Sequence, residues 1–230
     1  MKRHHQGIAR LSAAVLLALT LAACARHAKM PALTAVAGTA GASLCRDYRT
    51  SDHLQLLHQG HFSNGAGGSL FFQSVPVVSE GAQRVRSALL SPEAMVLFDG
   101  EVAQDDRYVV RALGPFSNPE LARRLLDDVA LVYLPPKEWV AQGRTKDGNR
   151  VCRYRMQNGT TLDVQHRPGG PKTLRQYDNQ GELKRWVQFS PETGSTPDGS
   201  TAVPRSFTLQ AFGKDRYRLK FELISVKRLP

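Results

Sequence analysis

Cysteine is scarce in this chain, with three among 230 residues. That excludes a small fold stapled by disulfides. Long apolar runs are scarcer still. The only one lies at the N-terminus, which excludes a polytopic membrane protein. Acids are outnumbered: 20 Asp and Glu stand against 31 Lys and Arg, a formal charge of +11. Catalytic signatures are thin. No G-x-S-x-G nucleophile elbow occurs. His53, His58 and His61 lie close together, but not at a zinc spacing, and no Cys or carboxylate joins them. Asn64-Gly65-Ala66-Gly67-Gly68 lacks the Lys-Ser/Thr of a phosphate loop. Asp105-Asp106 and Asp127-Asp128 are sequence neighbours, whose side chains diverge instead of forming an acid/base couple. These absences point away from an enzyme and from any metal or cofactor. What remains, at 41% hydrophobic and 22% charged residues, is ordinary globular usage with length enough for a real core.

The N-terminus reads as an address. Lys2, Arg3 and Arg10 precede Leu11–Ala23, which is apolar for thirteen residues and too short to span a bilayer as a helix. A basic start, a short apolar stretch and a small-residue end make a secretory signal. It closes on Leu21-Ala22-Ala23-Cys24, which resembles a bacterial lipobox. That resemblance implies cleavage before Cys24 and acylation of its sulfur and new amine, with palmitate-type chains forming a membrane anchor. Residue 25 is Ala and not Asp, which on the same resemblance implies the outer membrane, facing the periplasm. Removing residues 1–23 leaves 207 residues and a charge of +8. An exported protein meets no nucleic acid, so the excess reads as a solvated face or as attraction to anionic lipid.

Residues 24–43 carry the expected lipidated Cys and then mostly Ala, Gly and Thr, the composition of a flexible tether. Residues 44–230 form the expected domain, a monomer. Export places Cys45 and Cys152 in an oxidising compartment, where they are either a disulfide or two buried thiols.

The body alternates apolar and polar residues between turn signals. Strands are expected at His53–Phe62, Ser69–Val78, Arg84–Leu90, Glu93–Phe98 and Arg107–Leu113, with Asp99-Gly100 as punctuation. They continue at Val151–Met156, Thr160–Arg167, Lys172–Asp178, Glu182–Phe189, Val203–Phe212 and Arg216–Val226. Tyr217, Leu219, Phe221 and Leu223 share one face of the last strand, with Phe207 and Leu209 on the same side of its neighbour. Tyr154, Met156, Leu162 and Val164 face away from Arg153, Arg155, Asp163 and Gln165. Such patterning predicts a sheet with one apolar and one wet face.

One helix is expected, over Asn118–Leu134, with Asn118 as cap and Pro119 at the first turn. Leu121, Leu125, Val129 and Val132 fall on one face, with Leu126 beside it, and Arg123–Asp127 and Arg124–Asp128 pair outside. A second short helix is expected at Lys137–Gln142. Many strands and one or two helices predict a mainly β (α+β) fold: a strongly curved antiparallel sheet, a half-open barrel covered by the helices.

Three stretches resemble the LolA/LolB superfamily of bacterial outer-membrane lipoprotein carriers and receptors. They resemble above all the LolB-like lipoproteins associated with lipid and aryl polyene pathways. The stretches are Ser87–Val102, Leu121–Pro136 and the closing strand pair Pro204–Val226. The resemblance implies noncatalytic handling of a lipid or a lipidated protein client. An apolar cavity would do this, and Tyr154, Leu162, Phe207, Leu209, Leu219, Phe221, Leu125 and Val129 are the candidate lining. The alternative is a structural adaptor of an envelope complex that holds no ligand.

Overall fold

The computed structural model describes residues 28–35, 45, 53–79, 81–136, 138–156, 158–167, 169–196, 199, 202–214 and 216–230. The expected signal peptide and Cys24 lie outside the described residues. Among those described, no helix is long and apolar enough to cross a membrane.

Among the described residues, five strands precede one α-helix and nine strands follow it. The first half holds β1 (His53–Asn64), β2 (Ser69–Ser79), β3 (Arg84–Leu90), β4 (Val96–Ala103) and β5 (Asp106–Ala112). A 3-10 turn at Gly114–Ser117 leads into α1 (Pro119–Tyr133). Then come β6 (Glu138–Arg144), β7 (Arg150–Arg155), β8 (Thr161–His166), β9 (Lys172–Tyr177) and β10 (Leu183–Phe189). The chain closes with β11 (Thr193–Ser195), β12 (Ala202–Pro204), β13 (Ser206–Ala211) and β14 (Tyr217–Arg228). Twelve strands make one antiparallel sheet in the order β5-β4-β3-β2-β1-β14-β13-β10-β9-β8-β7-β6. It does not close: β5 and β6 are its two edges, and α1 is the chain between them. This is the expected curved sheet with a helix.

Alternation places the core. In β1 the residues Leu54, Leu56, His58 and Phe62 are buried, and in β3 Val85 and Leu89. Register carries the inner face across the sheet, through Phe207 opposite Phe221, Phe221 opposite Gly60, and Gly60 opposite Phe72. Gly60 is required there, because a Cβ on it would sit 2.3 Å from the Phe72 ring. In β14 the face set by Tyr217, Leu219, Phe221 and Leu223 ends at a bulge, where Leu57 pairs Ser225 and His58 pairs Leu223. The skipped Ile224 is exposed, and Val226 resumes the buried side. Hairpin ends use side chains as turn acceptors: the Asp178 carboxylate accepts from the backbone N–H groups of Gln180 and Glu182 at 2.9 and 2.8 Å.

The helix begins as expected, with the Asn118 side chain accepting from the N–H groups of Glu120 and Leu121. Its buried side is Ala122, Leu125, Leu126, Asp128 and Leu131. That is rotated from the expected Leu121/Leu125/Val129/Val132 stripe. Gly100 explains the rotation: Leu126 Cδ2 lies 2.9 Å from where its Cβ would be, so the helix presses closest at this bare backbone.

Four expectations need correction. Residues 138–144 are not a helix but edge strand β6, paired with β7. The exposed, adjacent Trp139 and Val140 suit an edge strand and not a helix face. Asp99-Gly100 is not a turn but a bulge inside β4, whose start shifts to Val96 because Ser91-Pro92 and Ala94, at φ 64°, make the turn instead. The stretch Val203–Phe212 divides: Ala202–Pro204 pairs with β11 in a separate ribbon, and the main-sheet strand starts at Ser206. Pro204 has no N–H to give a sheet interior.

The fourth concerns the wet face. On β7 to β9 the side opposite the trough is also buried. Residues 28–35 lie on it, with Thr34 exchanging backbone hydrogen bonds with Arg144 at 2.9 Å and Met30 donating to Gly181. Beneath them Arg153 grips Asp163 bidentately at 2.7 and 2.8 Å and donates to the Pro31 carbonyl. Asp163 and Tyr177 have no exposed surface. Part of the segment whose composition reads as tether is therefore docked.

Cys45 and Cys152 are joined by a disulfide, with Cα atoms 5.7 Å apart across a sequence separation of 107 residues. A loop of that length corresponds to about 4–5 kcal/mol in the chain-entropy account. Urea unfolding of Cys45→Ala/Cys152→Ala should show a loss of that order. A loss below about 1 kcal/mol would mean that the denatured chain keeps these ends together anyway.

Candidate functional site

The concave face of the sheet is a trough, and α1 lies in it. Two adjacent carboxylates on the helix reach opposite ways. Asp127 accepts from Arg107 Nε of β5 at 2.5 Å, near one edge of the sheet. Asp128 is buried, accepts from Arg185 Nε of β10 at 2.6 Å, and accepts from the Tyr217 hydroxyl of β14. The expected outside pairs therefore do not form. Glu120, not Asp128, is the partner of Arg124, and Asp128 belongs to the interior. Burial raises the Asp128 carboxyl above the usual range, while the Arg185 guanidinium opposes that shift.

Beneath the helix a small cavity of about 30 Å³ remains. Six of the eight expected lining residues border it: Phe207, Leu209, Leu219, Phe221, Leu125 and Val129. The other two do not. Tyr154 and Leu162 lie on β7 and β8 toward the far edge, where the Tyr154 hydroxyl donates to the Cys45 carbonyl at 2.5 Å. They are core. Sequence reading also missed lining residues from the first half of the sheet, among them Phe72, Ser74, Ser87 and Phe98, and Tyr133 from the helix end. Ser74 and Ser87 occupy inward positions of β2 and β3, so their parity was the available signal. A serine at an apolar position is easily passed over.

The volume is decisive for what fits. About 30 Å³ holds a water or two. Ligand sites are typically some 300–1,000 Å³. With α1 in place the trough has no room for an acyl chain. At the helix N-terminal end, a larger open cleft of about 730 Å³ lies between the β1–β2 and β13–β14 turns. Phe62 and Tyr217 form its inner wall, their rings 5.7 Å apart, and Arg216 and Lys214 its rim. Tyr217 faces this cleft, and Leu219, the next inward residue of β14, faces the closed cavity.

The three histidines do not converge. His58 points into the trough, ringed by Tyr133, Phe207 and Phe221 at centroid distances of 6.2, 5.8 and 5.9 Å. His61 points to the other face and stacks on Phe71. The His53 ring lies at the Pro230 carbonyl. Among the described residues no cluster of His, Cys, Asp and Glu could hold a metal ion.

Comparison by structure places this geometry. A LolA superfamily protein from Nitrosomonas europaea superposes with a TM-score of 0.54, over 85% of this chain and 95% of the other, at 10% identity. The chain has the LolA-like fold. A DUF1329 family protein from Desulfovibrio piger also superposes, with a TM-score of 0.50, over 82% of this chain and 90% of the other, at 10% identity. No protein-family model and no curated protein matches the sequence. The LolA-like likeness is thus one of architecture, a sheet bent around a helix.

Two outcomes follow from the charges in this trough. Asp128→Ala strands the Arg185 guanidinium, so it should cost about 3–5 kcal/mol in urea unfolding, and adding Arg185→Leu should restore most of that. Equal costs for the single and double variants would show that the pair is not a unit. Burial pulls the His58 imidazole down to about 4, against about 6.5 unfolded. The unfolded chain then binds the extra proton between those values. Stability is full above pH 6.5 and falls as pH drops toward 4, by about 3 kcal/mol. The pH profile of His58→Phe should be flatter by that amount. Identical profiles would mean that the ring titrates as if exposed.

Proposed function

We propose that this protein is a lipid-anchored envelope carrier. It takes acyl chains, or the acyl chains of a lipidated protein client, into the trough beneath α1 and assists lipid or lipoprotein localisation at the outer membrane. Cys24 carries the anchor, and the N-terminal signal supports that placement. Catalysis has no part in this reading. The LolA-like fold supports it, as does the name of the Nitrosomonas europaea protein's superfamily.

The observation that carries the reading is the mismatch between trough and cover. An apolar inner face assembled from most of twelve strands is covered by one helix of fifteen residues. The helix contributes few fully buried apolar side chains, Leu125, Leu126 and Leu131 being the largest. Each contributes about 1.5–3 kcal/mol by burial, a sum that an acyl chain, at about 0.8 kcal/mol per CH₂, can match. An acyl chain can therefore exchange with the helix as cover of the same surface. Phe207, Leu209, Leu219 and Phe221 would line the bound chain, with Leu125 and Val129 on the moving side. Tyr154 and Leu162 would border it only on deeper insertion. The cleft bounded by Phe62 and Tyr217 is the natural entrance, because it already opens beside the helix N-terminus.

The small size of the closed cavity favours a second reading, the structural adaptor that holds no ligand. Native mass spectrometry of the whole chain carrying Cys24→Ser, purified from an envelope fraction, separates the two. A mass excess matching an acyl lipid is expected, and it should be exchangeable for added monopalmitoylglycerol. A bare mass, unchanged by added lipid, would leave the adaptor.

A further inference from the structure

The trough is not uniformly apolar, and its polar groups lie together. On the inner face His58 of β1 is directly opposite Ser74 of β2, and Ser87 of β3 is diagonal to Ser74. All three are buried, at 2%, 3% and 1% exposure. Tyr133, at the end of α1, closes over this patch from above. The His58 Nδ1 and the Tyr133 hydroxyl are both buried and have no hydrogen-bond partner among the described residues. Ser74, Ser87 and Tyr133 all border the cavity, and His58 packs against three of its rings: Tyr133, Phe207 and Phe221. Buried polar groups are normally paired, and leaving two unpaired in one apolar place costs stability. A group used only by a ligand explains why they persist.

We propose that this patch is a head-group subsite that hydrogen-bonds the carbonyl of an uncharged acyl ester whose chain lies in the trough. The inference rests on the carrier reading and adds the class of ligand. The Tyr133 hydroxyl donates to the ester carbonyl, and the neutral His58 ring and the serine hydroxyls supply the neighbouring donors and acceptors. The charge of the ligand follows from the surroundings. Among the described residues, the one charged side chain lining the cavity is Asp128, an anion already held by Arg185 and Tyr217. Among the described residues no cation lines the cavity to receive a free carboxylate, and burial keeps the His58 imidazole uncharged at neutral pH. A fatty-acid anion would be desolvated beside Asp128 with nothing opposite it. A glycerol ester or the acyl ester of a lipidated cysteine carries the same chain and carbonyl without that penalty.

The experiment uses the whole chain carrying Cys24→Ser and the apolar dye N-phenyl-1-naphthylamine. The dye is displaced at pH 8 by 1-monopalmitoylglycerol or by palmitate, each kept below its aggregation concentration. The ester should bind at least about tenfold more tightly than the acid, a difference set by one uncompensated charge. Tyr133→Phe should remove most of that preference, read as the ratio of ester to acid affinity within the variant. Because this hydroxyl has no partner in the closed form, the variant should melt no lower than the parent, which a merely structural tyrosine would not allow. Ser74→Ala should weaken ester binding in the same direction. Equal affinity for ester and acid would overturn the subsite. So would undiminished ester binding by Tyr133→Phe, since a trapped water then suffices as partner. Failure of the dye and both lipids to bind would instead remove the carrier reading itself, and the subsite with it.

Discussion

A bent sheet with an apolar concave face cannot stand uncovered in water, and here a single helix is the cover. Everything distinctive about the molecule follows from how that helix is held. Its apolar side chains press on the trough floor, nearest at Gly100, where the absence of a Cβ admits Leu126. Its two adjacent carboxylates reach strands far apart in the sheet, Asp127 to β5 and Asp128 to β10 and β14. The second of these is costly. A buried carboxylate is tolerated only because a guanidinium and a phenol meet it. Such a pair fixes position more than it adds stability, and the register of the helix over the trough depends on it.

That arrangement suits a cover that is specific but not permanent. Much of the stabilisation comes from apolar burial, which has no direction and can be replaced by any hydrocarbon of similar area. Among the described residues, Asp127 and Asp128 supply the helix's side-chain ties to distant strands. The rest of the structure is by contrast firmly tied. The disulfide joins Cys45 to β7, and residues 28–35 cover the outer face of β7 to β9, tied by backbone hydrogen bonds to Arg144, Gly181 and Leu183 and by Arg153 donating to the Pro31 carbonyl. β7 to β9 are therefore covered on both faces, whereas β1 to β3 bury mainly their concave one. Rigidity on one side and a replaceable helix on the other are what a container needs.

Much of the fold was legible in the residues because strand alternation and turn chemistry are local. The hairpins around Asn64–Gly68, Asn158-Gly159 and Asp178–Gly181 announce themselves within a few positions. So do the Asn118 cap and the Pro135-Pro136 stop of the helix. Arg84–Leu90 is found with the bounds read from its pattern. Local reading fails where a distant element competes. Residues 138–144 carry a mixed signal, and only the availability of β7 as a partner makes them a strand. Asp99-Gly100 looks like a turn, yet β3 and β5 pair through it. Asp163 and Gln165 look solvated until residues 28–35 are laid over them.

The candidate site divides in the same way. Alternation alone assigned Phe207, Leu209, Leu219 and Phe221 to one face, and helical periodicity put Leu125 and Val129 toward it. Periodicity fixes direction relative to the chain's own axis, so these assignments needed no partner. Tyr154 and Leu162 also face inward, but how far a strand lies from the helix depends on sheet order, which no local pattern contains. The same holds for Asp128. Its helical neighbours offered arginines one turn away, and only the folded sheet brings Arg185 and Tyr217, 57 and 89 residues further along, to the one buried point where its charge can be met. Faces, turns and caps were determined by the sequence itself, through interactions a few residues long. The closed cavity, the buried ion pair and the clustered His58, Ser74, Ser87 and Tyr133 were decided by tertiary structure, because each joins residues whose only connection is the curvature of the sheet.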